Sequence, residues 1–116
     1  QWDDHEVHNN WFPGQVLVDP AYAEKRVDAL SGPARQAWYE YAPTLQDPRG
    51  PMYRVIHWGP LLDVFLLDGR TYRTPNEPAP TAGEMLGTDQ AAWLLHALTT
   101  SKATWKVIAC DMPIGL

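Results

Sequence analysis

Residues 61–67 read LLDVFLL, seven positions of which only Asp63 is polar. So short and apolar a run suits a strand buried in a covered sheet better than a surface helix, which would need a polar face. It delivers Asp68, Gly69 and Arg70 at its end, where α/β sheets place their sites. Residues 52–58, MYRVIHW, alternate well enough for a second strand with Tyr53, Val55 and His57 on one side, and Gly59 and Pro60 form the turn between the two. Residues 105–110, WKVIAC, make a last strand that runs directly into Asp111.

Helices separate these strands. Asp19 as cap and Pro20 as first residue open a helix whose good formers run over residues 21–30 before Gly32 ends it. Pro33 starts a second, with Ala37, Trp38, Tyr41 and Ala42 as a one-turn stripe before Pro43, so the pair reads as a helical hairpin. Thr88 caps a third helix with apolar residues Ala91, Ala92, Leu95 and Leu98, broadened by Trp93 and Leu94, and with Gln90 two residues after the cap. Residues 74–87 form a Pro/Gly-rich loop without periodicity, the segment expected to be most mobile. Strands ending in polar residues and separated by helices predict an α/β layered domain with its site at the strand ends. At 116 residues there is room for one small domain.

The formal charge of −5 argues against a nucleic-acid or acidic-membrane partner, which would favour a clustered Lys/Arg surface. Phosphate chemistry survives this test, because a site that binds phosphate through metal ions needs carboxylates to hold them. One cysteine, Cys110, excludes an internal disulfide and any multi-cysteine metal cage. No apolar run approaches the roughly 20 residues that span a bilayer. Gln1 is not an initiator Met, and both ends lie inside dense motifs where natural termini are usually loose. The chain is therefore expected to be an internal stretch of a longer protein.

Residues 1–11, QWDDHEVHNNW, place Asp3, Asp4, His5 and Glu6 in consecutive positions. Like charges this close raise one another's pKa unless a cation neutralises them, which points to a divalent or trivalent metal. Hard oxygen ligands with an imidazole suit calcium, manganese, iron or zinc without ranking them. The bare cluster reads equally as an exposed acidic turn, with His8 a packing or surface residue. Arg70 offers a charge-assisted contact to a phosphate, or equally a pair with a nearby carboxylate such as Asp68. Asn9 and Asn10 reach substrate oxygens or fix their loop.

Four ordered segments, WDDHEVHNNW, LDGRTYRTPN, LGTDQAAWL and TWKVIACDMPIGL, resemble successive blocks of the alkaline phosphatase D (PhoD) family of calcineurin-like metallophosphoesterases. The resemblance covers the whole chain, residues 1–116, and implies an internal piece of the family's catalytic domain. The implied fold is α/β, part of a β-sandwich flanked by helices and incomplete here. The implied activity is metal-dependent hydrolysis of phosphate mono- or diesters, with calcium and iron as cofactors, in a protein that is extracellular or periplasmic at full length. Aligning His5 with the superfamily's Gly-Asn-His motif puts Asp4 at a metal-ligand position and His5 at the position that assists the leaving oxygen. Asp3 falls on the Gly, as a ligand or a turn-capping carboxylate, and Glu6 orients its neighbours. Asp111 stands where the superfamily carries a metal-binding His before Pro113. Asn9, Asn10 and Arg70 are the substrate-binding candidates. The family's first metal motifs and its Asp-x-His block fall outside the chain, so the isolated piece is expected to hold few of the ligands and little activity. A stand-alone metal-binding or interaction module, its aromatic clusters facing a partner, is the alternative.

Overall fold

The computed structural model describes residues 1–42, 47–75 and 84–112. In chain order these form α1 (Val27–Tyr41), β1 (Arg54–Trp58), β2 (Leu62–Leu66), α2 (Gly87–Thr100) and β3 (Trp105–Ala109). The three strands make one mixed sheet in the order β1-β2-β3. β1 and β2 are antiparallel, with Trp58 opposite Leu62, and Gly59 at φ 65° supplies the left-handed turn residue between them. β2 and β3 are parallel, Leu62 opposite Trp105 and Leu66 opposite Ala109, with α2 as the crossover. The apolar run is thus the central strand, as its composition required, and the parallel pair sends Asp68 and Asp111 out at the same end of the sheet.

Alternation sorts the sheet into two faces. Phe65 is buried and lines, with Val55, His57 and Asp63, a cleft of ≈ 550 Å³ whose other wall is Trp93 and Ala97 of α2. Asp63, the one polar residue of the run, is 4% exposed. It sits directly opposite His57, whose Nδ1 lies 2.6 Å from its Oδ1, and its Oδ2 accepts the Ser101 hydroxyl at 2.5 Å. A buried carboxylate is tolerated because both oxygens are bonded, and the pair of bonds clips β1 and the end of α2 to the central strand. The Ser101 hydroxyl first, then His57, hold the Asp63 carboxyl below the usual range. On the opposite face, Ile56, Trp58, Trp105 and Val107 are exposed among the described residues.

A second core gathers around the opening segment. Trp2 and Trp11 meet edge to face at 5.9 Å and pack with Leu17, Val27 and Met52. Both tryptophans are buried, which removes them from any partner-facing aromatic surface.

The expected helical hairpin is instead one helix, α1, with Pro33 inside it. Pro33 deprives the Ala29 carbonyl of its usual i+4 donor. The spacing of Val27, Leu30, Ala34 and Trp38 nevertheless runs unbroken past it, and all four pack on the tryptophan core, so tertiary burial carries the helix through the proline. Asp19 does cap, but it caps a turn: its Oδ1 accepts the Ala21 amide at 2.8 Å. Residues 17–25 loop out and are closed by the Val16–Arg26 bridge and the Leu17 amide on the Lys25 carbonyl. Pro43 lies outside the described residues.

α2 begins one residue before Thr88, with Leu86 at the cap position and no side-chain cap. Gly87 there has φ 71°, and a Cβ on it would stand 2.9 Å from Cβ of Tyr72. The packed face of α2 is Gln90, Trp93, Leu94, Ala97 and Leu98, while Ala91, Ala92 and Leu95 are exposed. The expected stripe is turned by about one position because Gln90 is an inward residue. Most of the Pro/Gly-rich loop, residues 76–83, lies outside the described residues. Its ends are joined by the Thr74 amide on the Glu84 carbonyl at 2.8 Å.

Candidate active site at the strand ends

Just past β2, the Asp68 carboxylate folds the chain back on itself: its Oδ1 accepts the amides of Arg70 at 3.0 Å and Thr71 at 2.9 Å. This Asx-type turn aims the Arg70 side chain, 3% exposed, at three carboxylates from distant parts of the chain. Arg70 Nε lies 3.0 Å from Asp3 Oδ1 and 3.9 Å from Asp111 Oδ2, and its Nη2 lies 3.4 Å from Asp4 Oδ2. The three residues expected to hold metal are therefore brought together, with a guanidinium at their centre. The Asp68–Arg70 pair is made through the backbone of Arg70.

The opening segment is anchored to the sheet by Gln1, whose Nε2 donates to the carbonyls of Leu67 at 2.9 Å and Ala109 at 3.0 Å. Within the segment Glu6 accepts the Asp3 amide at 2.9 Å, and Asn10, at φ 56°, donates its own amide to Asp4 Oδ2 at 2.9 Å. Asn is among the few side chains that tolerate this left-handed conformation. His5 stands at the rim, largely exposed, with Nε2 3.0 Å from Asn9 Oδ1 and 3.9 Å from Asp4 Oδ1. His8 packs edge to face on Tyr22 at 5.3 Å.

The electrostatics differ around the ring. Burial pushes the Asp4 carboxyl up, but the Asn10 amide and the charge of Arg70 outweigh it and hold the group low. Asp111 goes the other way, raised chiefly by burial and further by the charge of Asp3. Cys110, which points its sulfur 3.6 Å from Asp111 Oδ1, is raised by burial, consistent with a structural thiol.

Carboxylate oxygens are the donors that calcium and iron take, and Asp68 Oδ2 and Asp111 Oδ2 are buried without a hydrogen-bond partner. The fit is one of donor type and not of number. Among the described residues no three His, Cys, Asp or Glu side chains are grouped to hold a metal ion. What these residues build by themselves is a ring of three carboxylates around the single cation Arg70, whose Nη1 is also buried without a partner.

The PhoD-like phosphatase family model matches residues 1–116. The chain belongs to that family. It is 33% identical, over 127 aligned residues, to alkaline phosphatase D of Bacillus subtilis (strain 168), covering 93% of this chain and 21% of that protein. A solved structure of PhoD superposes with a TM-score of 0.69 at 30% identity, over 93% of this chain and 23% of the other. The chain thus spans about a fifth of the length of the relatives it matches. Its mixed α/β architecture of a three-stranded sheet and two helices is that of the corresponding part of PhoD.

Two residues of the site, Gly69 and Gln90, were placed by the sequence without a role. Gly69 donates its amide to Asp111 Oδ1 at 3.1 Å, and a Cβ there would stand 2.8 Å from that oxygen, so only glycine admits the contact. Gln90 is 1% exposed and bonds the backbone of Asp68 on both sides. The signal for Gly69 was its place between two charged residues at a strand end. Gln90 left none, because its partners are backbone atoms 22 positions upstream.

Proposed function

We propose that the chain is a segment of the catalytic part of a metal-dependent phosphatase that hydrolyses phosphate esters and releases inorganic phosphate. The observation that carries this is the convergence of Asp3, Asp4, Asp111 and Arg70 at one end of the β2–β3 pair, in a chain of the PhoD-like family. On this reading Asp4, with Asp3 and Asp111, contributes to holding calcium and iron, and ligands outside the segment complete the set. Bound metal would supply an activated water and neutralise charge developing on phosphorus. The full-length protein is proposed to be extracellular or periplasmic, as the family resemblance implies.

The chain's own residues then have distinct tasks. His5, held by Asn9 at the open rim, donates its proton to the leaving alkoxide. Asn10 keeps Asp4 in place through its backbone. Arg70, at the strand end beside Asp3 and Asp4, is the proposed charge-assisted contact for a phosphoryl oxygen.

In the whole phosphatase, His5→Ala should slow turnover by about 10²–10⁴-fold with metal content unchanged. Asp4→Ala should lose metal by elemental analysis. Unchanged turnover in His5→Ala removes His5 from the chemistry, and full metal content in Asp4→Ala removes Asp4 from the ligand set. The 116-residue chain alone should hydrolyse phosphate esters weakly, and robust metal-dependent hydrolysis by it would overturn the assignment of ligands to other segments.

A further inference from the structure

We infer that Gln90 is a positioning residue for Arg70, acting from helix α2 through the backbone of Asp68; this rests on the reading of Arg70 as a phosphate contact. The Gln90 amide spends both its ends on one residue. Oε1 accepts the Asp68 amide at 2.8 Å, and Nε2 donates to the Asp68 carbonyl at 2.9 Å and to the Leu86 carbonyl at 3.0 Å. It thereby does for Asp68 what a neighbouring strand would do, two residues beyond Leu66, the last paired residue of β2.

A leucine would fill the same space between helix and sheet without burying polar atoms, so packing alone does not call for glutamine. What the amide adds is direction. With both backbone groups of Asp68 fixed, its fully buried carboxylate is left to organise the turn over Arg70 and Thr71, and Gly69, between Asp68 and Arg70, docks on Asp111. The turn has no freedom to swing without breaking the Gln90 pair. The other end of α2 holds the other end of β2 through Ser101 and Asp63, so one helix sets the strand at both ends. A guanidinium placed this way keeps its orientation whether or not substrate is present, which is what preorganised charge stabilisation requires.

The test is a double-mutant cycle in the whole phosphatase, with Gln90→Leu and Arg70→Lys, measured well below the melting temperature of each variant. Lysine keeps the charge but loses the planar fork, so orientation no longer matters in that background. Gln90→Leu alone should lower kcat/KM by roughly 10²-fold, the scale of an ångström of misplacement, with most of the loss in kcat. In Arg70→Lys the same change should cost less than about 2-fold, the non-additivity expected of residues acting as one unit. Losses that multiply while Arg70→Lys is itself damaging overturn the role of Gln90 and leave that of Arg70 intact. An Arg70→Lys variant with unimpaired kcat/KM overturns the reading of Arg70 and, with it, this inference. Gln90→Glu, which keeps length and acceptor but loses the donor, carries the same cycle should Gln90→Leu not fold.

Discussion

Replacing Arg70 by methionine should cost the chain a large part of its stability. The guanidinium is 3% exposed and faces carboxylates whose side chains are 12% (Asp4), 1% (Asp111) and 40% (Asp3) exposed. At an effective dielectric near 20, each unit-charge contact at 4 Å attracts by about 4 kcal/mol, but desolvating the guanidinium offsets most of that sum. The cost of deletion is set by what is left behind: Asp4 and Asp111 lose the guanidinium they contact and keep only the weaker pull of charges such as Arg73, a loss worth about 3–5 kcal/mol together, with the half-open Asp3 adding less than about 1. Against a total near 5–15 kcal/mol, that is close to unfolding. Urea denaturation followed by tryptophan fluorescence would read it directly. The loss should also shrink as pH falls from 7 toward 4. A carboxyl whose folded pKa is raised gains stability as pH drops through that folded value, and Asp111, already raised by burial, would lie higher still without Arg70. A loss under about 1 kcal/mol, or one independent of pH, would refute the ring as a buried charge cluster.

Gly69→Ala should destabilise by about 1–3 kcal/mol, read by the same denaturation, because the new methyl meets the Asp111 carboxylate. Pro33→Ala should raise the melting temperature, by up to about 3 kcal/mol in stability, since it restores a bond to Ala29 inside a continuous helix; a decrease would favour two helices with Pro33 at a start. Asp63 has a depressed pKa, so its contribution is present above the unfolded aspartate value near ~3.9 and is lost as pH falls through the lower folded value. The melting-temperature difference between wild type and Asp63→Asn should therefore close below about pH 4 in a thermal titration, and a difference that persists there would place its origin elsewhere.

Much of the sheet was legible because β2 combines apolar composition with short length, and because Gly59 and Pro60 leave no other place for the turn. The site was legible in kind: Asp3, Asp4, Asp111 and Arg70 do meet, and strand ends ending in polar residues said where. Their central partner was harder to foresee. Spacing can bring three carboxylates to one place, but it does not say that an arginine 67 residues from Asp3 will sit between them. The helices were legible in part: α2 starts one residue from its expected cap, whereas the expected hairpin is one helix. Pro33 looked like a boundary because local rules see a missing donor and not the core beneath Val27, Leu30, Ala34 and Trp38. Gln90 was placed only by its position two residues after the expected cap, because side-chain polarity says nothing about backbone groups waiting for it across the fold.

The sheet face carrying Ile56, Trp58, Trp105 and Val107 bears on how the chain behaves in a tube. Handled by itself at high concentration, it offers this greasy plane together with two unpaired strand edges, β1 and β3, among the described residues. Sedimentation should show association that grows with concentration, and a hydrophobic dye should brighten on the monomer. Soluble handling therefore calls for dilution or a fusion partner that shields this side, and leaves the Arg70 end open for study.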